Sequence, residues 1–447
     1  MTNEVGASRA LADFIAAARP EDVPERVRHE AKRSLLNFFA VALAGAHDPV
    51  LDSALATLAP FAGPATSTVV GRSARTDALG AAFLNAAGAN VFDYDDTHPG
   101  TVIHPTAPVA PALFAFAETR PMSGADLIHA FVLGVEAECR IGNAISPGHY
   151  ARGWHITSTC GVFGSAAAIA KILKLDARRT LDALGNAASQ ACGLVEALGT
   201  GAKSLGVGNS ARGGMIAALG AANGIGGPDR PLEGVRGFAN VTAEKPNFGK
   251  IADGLGTTWE LARNTYKPYP SGVVLHPVTD ACLMLRREPG FDVARIVSIV
   301  ASGHPLLRQR TDRPNVRTGR EAQVSLQHTV AAALIDGAAG LAQYSDARVN
   351  DPAVRALSAK VSVADDPMMP VEGAKLAITL DDGRVLETLV EHALGSEKNP
   401  LSDADIEAKL RMLAAPVAGI DVDGLIGAVW SLDTATDAGA VMRHVRP

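Results

Sequence analysis

Between residues 90 and 116 the chain reads NVFDYDDTHPGTVIHPTAPVAPALFAF, which crowds Asp93, Asp95, Asp96, Thr97, His98 and His104 between apolar segments of small residues. Carboxylates, hydroxyls and two imidazoles that titrate near neutrality make a set suited to proton transfer. Buried in a protein, such a cluster costs desolvation free energy unless its members pair with each other or with a ligand. The residues allow two readings. One is a wall of an active site; the other is an acidic turn whose aspartates cap the next helix, with a histidine packed beside it. Capping accounts for the aspartates but not for two histidines set among Pro and Gly.

Three further polar islands carry groups of the same kind. PGHYARGWHITSTCGVFGS, residues 147–165, sets His149, Arg152 and His155 ahead of a helix expected over residues 166–175. Free amides at a helix N-terminus suit an anion. The plainer reading has Thr157, Ser158 and Thr159 capping that helix while Tyr150 and Trp154 fill core. GTGAKSLGVGNSARGG, residues 199–214, places Lys203 and Arg212 in what reads as a glycine-rich loop entering an alanine-rich helix. It lacks the GxxxxGK[ST] pattern of a phosphate loop, so its amides and Lys203 are expected to hold carboxylates. KPYPSGVVLHPVTDA, residues 267–281, adds Lys267 and His276 ahead of a short helix.

Cationic donors suit a substrate with several carboxylates, and histidines suit proton transfer at carbon. A base beside a carboxylate, with donors that stabilise the enediolate-like charge, gives dehydration, epimerisation or decarboxylation according to what leaves next. No GxGxxG, GxSxG or HExxH motif and no metal-ligand spacing is present, so neither cofactor nor metal is expected. Cys139, Cys160, Cys192 and Cys282 are scattered without zinc spacing and read as reduced thiols. Cys160 beside His155 is a minor candidate for a nucleophile.

These islands need rigid elements to hold them. Leu11, Phe14 and Ile15, then Val27, Ala31, Leu35, Phe39 and Leu43, recur at helical spacing on either side of the turn from Pro20 to Pro24. Helices are expected over residues 77–89, 107–118 and 123–143, the last with Ser123 and Asp126 at capping-box spacing. From about residue 265 the periodicity alternates, with strands expected over 296–302, 359–363, 375–380 and 384–390, a hairpin at Asp382-Gly383, and a helix over 323–342. This makes a smaller α+β domain of about 130 residues. Ser402 and Asp405 open a return to helix, so the C-terminus is expected to rejoin the helical part. A two-domain layout also makes a cleft, where small-molecule sites are common. With 47% apolar and 20% charged residues the chain is globular and not disordered. A net charge of −6 without a basic run argues against nucleic acid. MTNEVGASR lacks a signal-peptide pattern and the apolar run 35–44 is interrupted by Asn37, so a cytoplasmic protein without membrane contact is expected.

Three ordered motifs resemble the MmgE/PrpD family, which contains 2-methylcitrate dehydratase, cis-aconitate decarboxylase and iminodisuccinate epimerase. FDYDDTH with HPTAPVAPAL is similar to its DFDDT and HPS segment, and GWHITSTCGVFGSAAAIAKILKLD to its GxHPTxxxGxxGAAAAAAKLLGL segment. KPYPSGVVLHPVTDA is similar to KPYPSCRxxHxxxDA, so the likeness spans nearly the whole chain. The resemblance implies a mainly α fold: a large all-helical domain built from both chain ends, residues 1–266 and 400–447, with a smaller α+β lid over 267–399. It also implies a homodimer and catalysis without metal or organic cofactor. Carried over, the catalytic residues are His104, His155, Asp93, Lys203 and His276. Thr97 and Lys267 bind substrate, with Arg152 and Arg212 nearby.

The expected function is a 2-methylcitrate dehydratase-like lyase acting on a small polycarboxylate. His104 or His155 would move the proton, Lys203, Lys267 and His276 would bind carboxylates or assist the leaving group, and Asp93 and Thr97 would orient histidines or bind a hydroxyl. GHYARGWHITSTCGVFG is especially similar to the epimerase branch, so an iminodisuccinate-type epimerase is an alternative, as is a cis-aconitate-type decarboxylase. Gly206 stands where the family often has a histidine, which changes the pocket and gives a noncatalytic dimeric binding module its place as an outside reading.

Overall fold

The computed structural model describes residues 6–447, so the reading of the first five residues lies outside it. The chain is mainly α-helical and folds into two compact units. The larger holds the described residues up to Val91, Asp95–Asn264 and Ser402–Pro447; the smaller holds Phe92–Tyr94 and Thr265–Leu401. Among the described residues no single helix is long and apolar enough to cross a membrane.

The larger unit begins with α1 (Ala7–Ala17) and α2 (Glu25–Gly45), parted by the turn at Pro20–Asp22. Asp77 accepts from the Gly80 amide at 2.9 Å and starts α3 (Ala78–Asn90). Then come α4 (Thr106–Ala117), α5 (Gly124–Ile145), α6 (Ile156–Ile172) and α7 (Gly201–Ala222). The returning C-terminal segment opens with α8 (Asp403–Ala414), whose capping box of Ser402 and Asp405 forms as its spacing predicts. It is fastened to α2 by polar contacts: buried Lys409 donates to Asn37 Oδ1 at 2.8 Å, and Arg33 pairs with the partly exposed Asp403. Asn37, which interrupts the apolar run of α2, is thus a buried core residue whose Oδ1 is paired with Lys409, while its Nδ2 has no partner among the described residues.

Two helices start earlier than their text suggests. The stretch 199–214 is not a loop: α7 is continuous from Gly201, with Lys203 in its first turn. Its glycines mark close helix contacts. A Cβ at Gly214 would lie 2.6 Å from the Val162 carbonyl of α6, and one at Gly208 would lie 2.7 Å from the Phe83 carbonyl of α3. Each glycine weakens a helix by about 1 kcal/mol, and the packing it permits outweighs that. Likewise α6 begins at Ile156, so the threonines and serine expected as caps lie inside its first turn.

The smaller unit carries a four-stranded sheet of β1 (Ile296–Gly303), β2 (Val361–Asp365), β3 (Ala374–Leu380) and β4 (Val385–Val390), ordered β2-β1-β3-β4. β1 and β2 are parallel and the other pairs antiparallel, with Ile299 opposite Ile378 and Ile378 opposite Leu386. Gly383 takes φ 82° in the expected hairpin turn. Leu376, Ile378 and Leu380 bury one face of β3 in a core shared with Val278 and Leu285 of the helix His276–Leu285 and Val330 of the helix Leu326–Asp336. The second helix is shorter than the 323–342 span expected, because Gly337 at φ 70° ends it in the left-handed region.

α5 and α6 approach closely at Gly134 and Gly164, where a Cβ on either would come within 3.0 Å of the other's carbonyl oxygen. The space beside Gly164 holds the carboxyl of Glu138, which is fully buried, and neither oxygen has a hydrogen-bond partner among the described residues. Burial, and secondarily Asp96, pushes Glu138 well above the ordinary carboxylate range. Because its folded-state pKa is raised, the stability tied to its protonated form is intact in acid and is lost as pH rises through that pKa. The melting temperature is therefore expected to fall as pH rises above the ordinary carboxylate range, and Glu138→Gln to flatten that fall. Parallel melting curves for the two proteins would refute this assignment.

Candidate active site

In the larger unit His104 is fixed by the turn that precedes α4. Its Nδ1 lies 2.7 Å from the Asp96 carbonyl oxygen and 3.1 Å from Thr97 Oγ1. A carbonyl only accepts, so Nδ1 carries the hydrogen, and the neutral ring has its lone pair on Nε2. Asp95 Oδ1 stands 3.6 Å from the same Nδ1, and the other Asp95 oxygen accepts from Asn90 Nδ2 at 2.6 Å. A charge gained by His104 is thus met by a carboxylate.

The aspartates of the acidic run divide between two kinds of contact. Asp96 anchors the start of α4: its carboxylate takes the Thr106 hydroxyl and the Thr106 amide at 3.4 Å, with Asn264 Nδ2 at 2.6 Å. Burial pushes Asp96 up to about 7 despite those donors. Asp95 faces the imidazole instead. His98 is packed, held between Thr101 Oγ1 at 2.9 Å and Glu260 Oε2 at 3.0 Å.

The Thr157-Ser158-Thr159 run does not cap α6, whose N-cap is His155 without a side-chain cap. Each hydroxyl engages a histidine. Thr157 Oγ1 accepts from the His104 backbone N–H at 3.1 Å, Ser158 Oγ lies 2.7 Å from His155 Nδ1, and Thr159 Oγ1 lies 2.7 Å from His149 Nε2. His104 and His155 are therefore gathered at the N-terminal end of one helix, both nearly buried. Lys203, Gly206 and Ser210 share one face of α7. That face meets the same end of α6, since a Cβ at Gly206 would touch Ser158 Oγ and Ser210 donates to the Ser158 carbonyl at 2.6 Å.

Other candidates lie apart from this group. Arg212 is nine residues beyond Lys203, about 14 Å along α7 at 1.5 Å per residue. Its guanidinium sits 5.0 Å over the Phe83 ring and donates to Asn209. Arg152 has a half-exposed side chain 3.9 Å from Glu244. Burial pulls His129 and His149 down to about 4, so both are neutral at pH 7 and serve packing. Cys160 belongs to the core with its thiol pushed up by burial, which removes it as a nucleophile. In the smaller unit Lys267 is buried and bonds both the carboxylate and the carbonyl of Asp93 at 2.9 Å, while Asp93 takes φ 52°. There the Tyr94 hydroxyl donates to the Pro268 carbonyl at 2.7 Å. His276 Nε2 donates to the Ser271 carbonyl at 3.2 Å, and its ring meets Tyr269 edge-on.

Two groups at the site were not singled out from sequence. Among the three aspartates the sequence reading favours Asp93 over Asp95, and it places Ser158 as a cap. The signal for Ser158 was its spacing, three residues after a histidine at a helix start, where side chains meet.

Residues 9–250 match the MmgE/PrpD N-terminal domain and residues 269–432 the MmgE/PrpD C-terminal domain, so the chain belongs to the MmgE/PrpD family. Among its relatives, cis-aconitate decarboxylase of Homo sapiens is 29% identical over 97% of this chain and 93% of its own length. Cis-aconitate decarboxylase of Aspergillus terreus is 28% identical over 97% of this chain and 94% of its own length. The cis-aconitate decarboxylase-like protein oryM of Aspergillus oryzae is 27% identical over 99% and 97%.

If Asp95 supports a charged His104, Asp95→Asn lowers kcat by roughly 10- to 100-fold, the worth of a charge-assisted contact of about 1.5–3 kcal/mol. Circular dichroism should show the fold intact. A fully active, folded variant would show that Asp95 only packs.

Proposed function

We propose that the protein is a lyase acting on a small polycarboxylate by removing a proton from carbon next to a carboxylate, with dehydration of the 2-methylcitrate kind as the leading reaction. The observation that carries the reading is the fixed imidazole of His104. Its Nδ1 is committed to the Asp96 carbonyl and backed by the Asp95 carboxylate, so Nε2 serves as the base. The electron pair left on carbon passes to the neighbouring carboxylate as enediolate-like charge, and Lys203 and His155 supply N–H donors for it. In the same reading Thr97 orients His104. Family membership and relatives named cis-aconitate decarboxylase support a lyase and a polycarboxylate substrate.

Those names also favour a second reading, decarboxylation of a cis-aconitate-like acid. The two differ in the bond that breaks: carbon to oxygen in the first, carbon to carboxylate in the second.

Proton NMR of the purified protein with 2-methylcitrate, cis-aconitate and aspartate-derived polycarboxylates in deuterated water separates them. Dehydration is expected to give an alkene with the carbon skeleton kept. Loss of carbon dioxide would move the assignment to the decarboxylase, and deuterium exchange with inversion alone would make it an epimerase. No turnover across the panel would contradict the polycarboxylate reading.

A further inference from the structure

Ser158 is 1% exposed and its side chain has room only because two neighbours are glycines. A Cβ at Gly193, which sits at φ 126°, would lie 2.6 Å from Ser158 Cβ and 3.0 Å from its Oγ, and one at Gly206 would lie 2.9 Å from Oγ. The pocket is closed further by the His155 N–H, which donates to the Gly193 carbonyl at 3.1 Å, and by Ser210, which takes the Ser158 carbonyl. Among the described residues the hydroxyl has one hydrogen-bond partner, His155 Nδ1 at 2.7 Å.

A buried hydroxyl that accepts without donating leaves its own hydrogen unpaired, which is costly. The arrangement that satisfies both groups has Ser158 donating to Nδ1, which puts the ring hydrogen of neutral His155 on Nε2. This is the opposite tautomer to His104. A charged His155 would need Nδ1–H to donate to Ser158 and would strand the serine hydrogen in a slot with no other acceptor, so the same contact disfavours the imidazolium.

We propose that Ser158 is a positioning residue that holds His155 as a neutral Nε2–H donor, and that Gly206 keeps the space this hydroxyl needs. His155 then does not take the substrate proton. His104 Nε2 takes it and becomes an imidazolium beside Asp95; the carbon–hydrogen electron pair moves into the carboxylate, and His155 donates a hydrogen bond to the oxygen where that charge gathers. Ser158 and Gly206 are thus a matched pair in this chain: a histidine at 206, frequent in the family, would occupy the hydroxyl's place. This inference deepens the reading above and rests on it for the role of His155, but the tautomer itself can be measured without a substrate.

The test is long-range proton–nitrogen NMR of the full chain labelled with 15N-histidine at neutral pH, for the wild type, Ser158→Ala and Gly206→Ala. The wild-type His155 is expected to show the Nε2–H tautomer. Ser158→Ala should lose that preference, and Gly206→Ala should lose it by displacing the hydroxyl while Ser158 is still present. The double variant should match Ser158→Ala. With a polycarboxylate that turns over, Ser158→Ala should lower kcat about tenfold, as expected for loss of one hydrogen bond. An Nδ1–H or charged His155 in the wild type, or a tautomer unchanged in both single variants, overturns the proposal. Should Ser158→Ala fail to fold, Gly206→Ala supplies the same displacement. If the tautomers behave as stated while no polycarboxylate reacts, the substrate reading fails and the positioning role stands.

Discussion

The hydrogen bond from His104 Nδ1 to the Asp96 carbonyl is the contact on which the rest of the site depends. It fixes the ring, its tautomer and the nitrogen that takes a proton, all inside a protein interior where an unpaired imidazole is costly. The carbonyl can hold this position because the Asp96 side chain is tied elsewhere, to Thr106 at the start of α4 and to Asn264. One residue thereby orients the histidine through its backbone and anchors a helix through its carboxyl. Asp95, with its carboxylate near the ring, completes the division of labour.

Small residues make the remainder of the arrangement possible. α5, α6 and α7 come together through Gly134, Gly164 and Gly214, which brings the first turns of α6 and α7 close enough for Gly206 to meet Ser158. The N-terminal end of α6 carries the positive end of a 17-residue helix and gathers His104, His155 and the Lys203-bearing face of α7. Carboxylates are favoured there by the helix dipole and its free amides as well as by the side chains. The hydroxyls of Thr157, Ser158 and Thr159 serve histidines and leave the helix end uncapped.

The sequence made the helical framework, the polar islands and the switch to alternating periodicity at about residue 265 legible, because amphipathic spacing and capping residues are local signals. Ser402 with Asp405, Asp77 and Asp382-Gly383 all form the structures their types predict. The starts of α6 and α7 were not legible. Glycine and hydroxyl residues read locally as loop, and here they are helical because tertiary contacts at Gly208 and Gly214 require them. Local residue types do not separate the three aspartates of the first island, and only the family resemblance favours Asp93, since their contacts depend on which of them points at His104, at Thr106 or at Lys267. Nor could Arg152 and Arg212 be separated from Lys203 by type alone; the helix repeat along α7 and the surface contact with Glu244 make the distinction.

In the proposed reaction His104 alone takes the proton from carbon. The rate at which the reacting carbon of a turned-over polycarboxylate acquires deuterium from solvent, compared in the wild type, His104→Ala and His155→Ala, tests it most directly. His104→Ala is expected to lose this exchange by about 100-fold or more, the usual worth of a positioned base, while His155→Ala still exchanges at a reduced rate. Exchange that survives in His104→Ala and vanishes in His155→Ala would contradict it and make His155 the base.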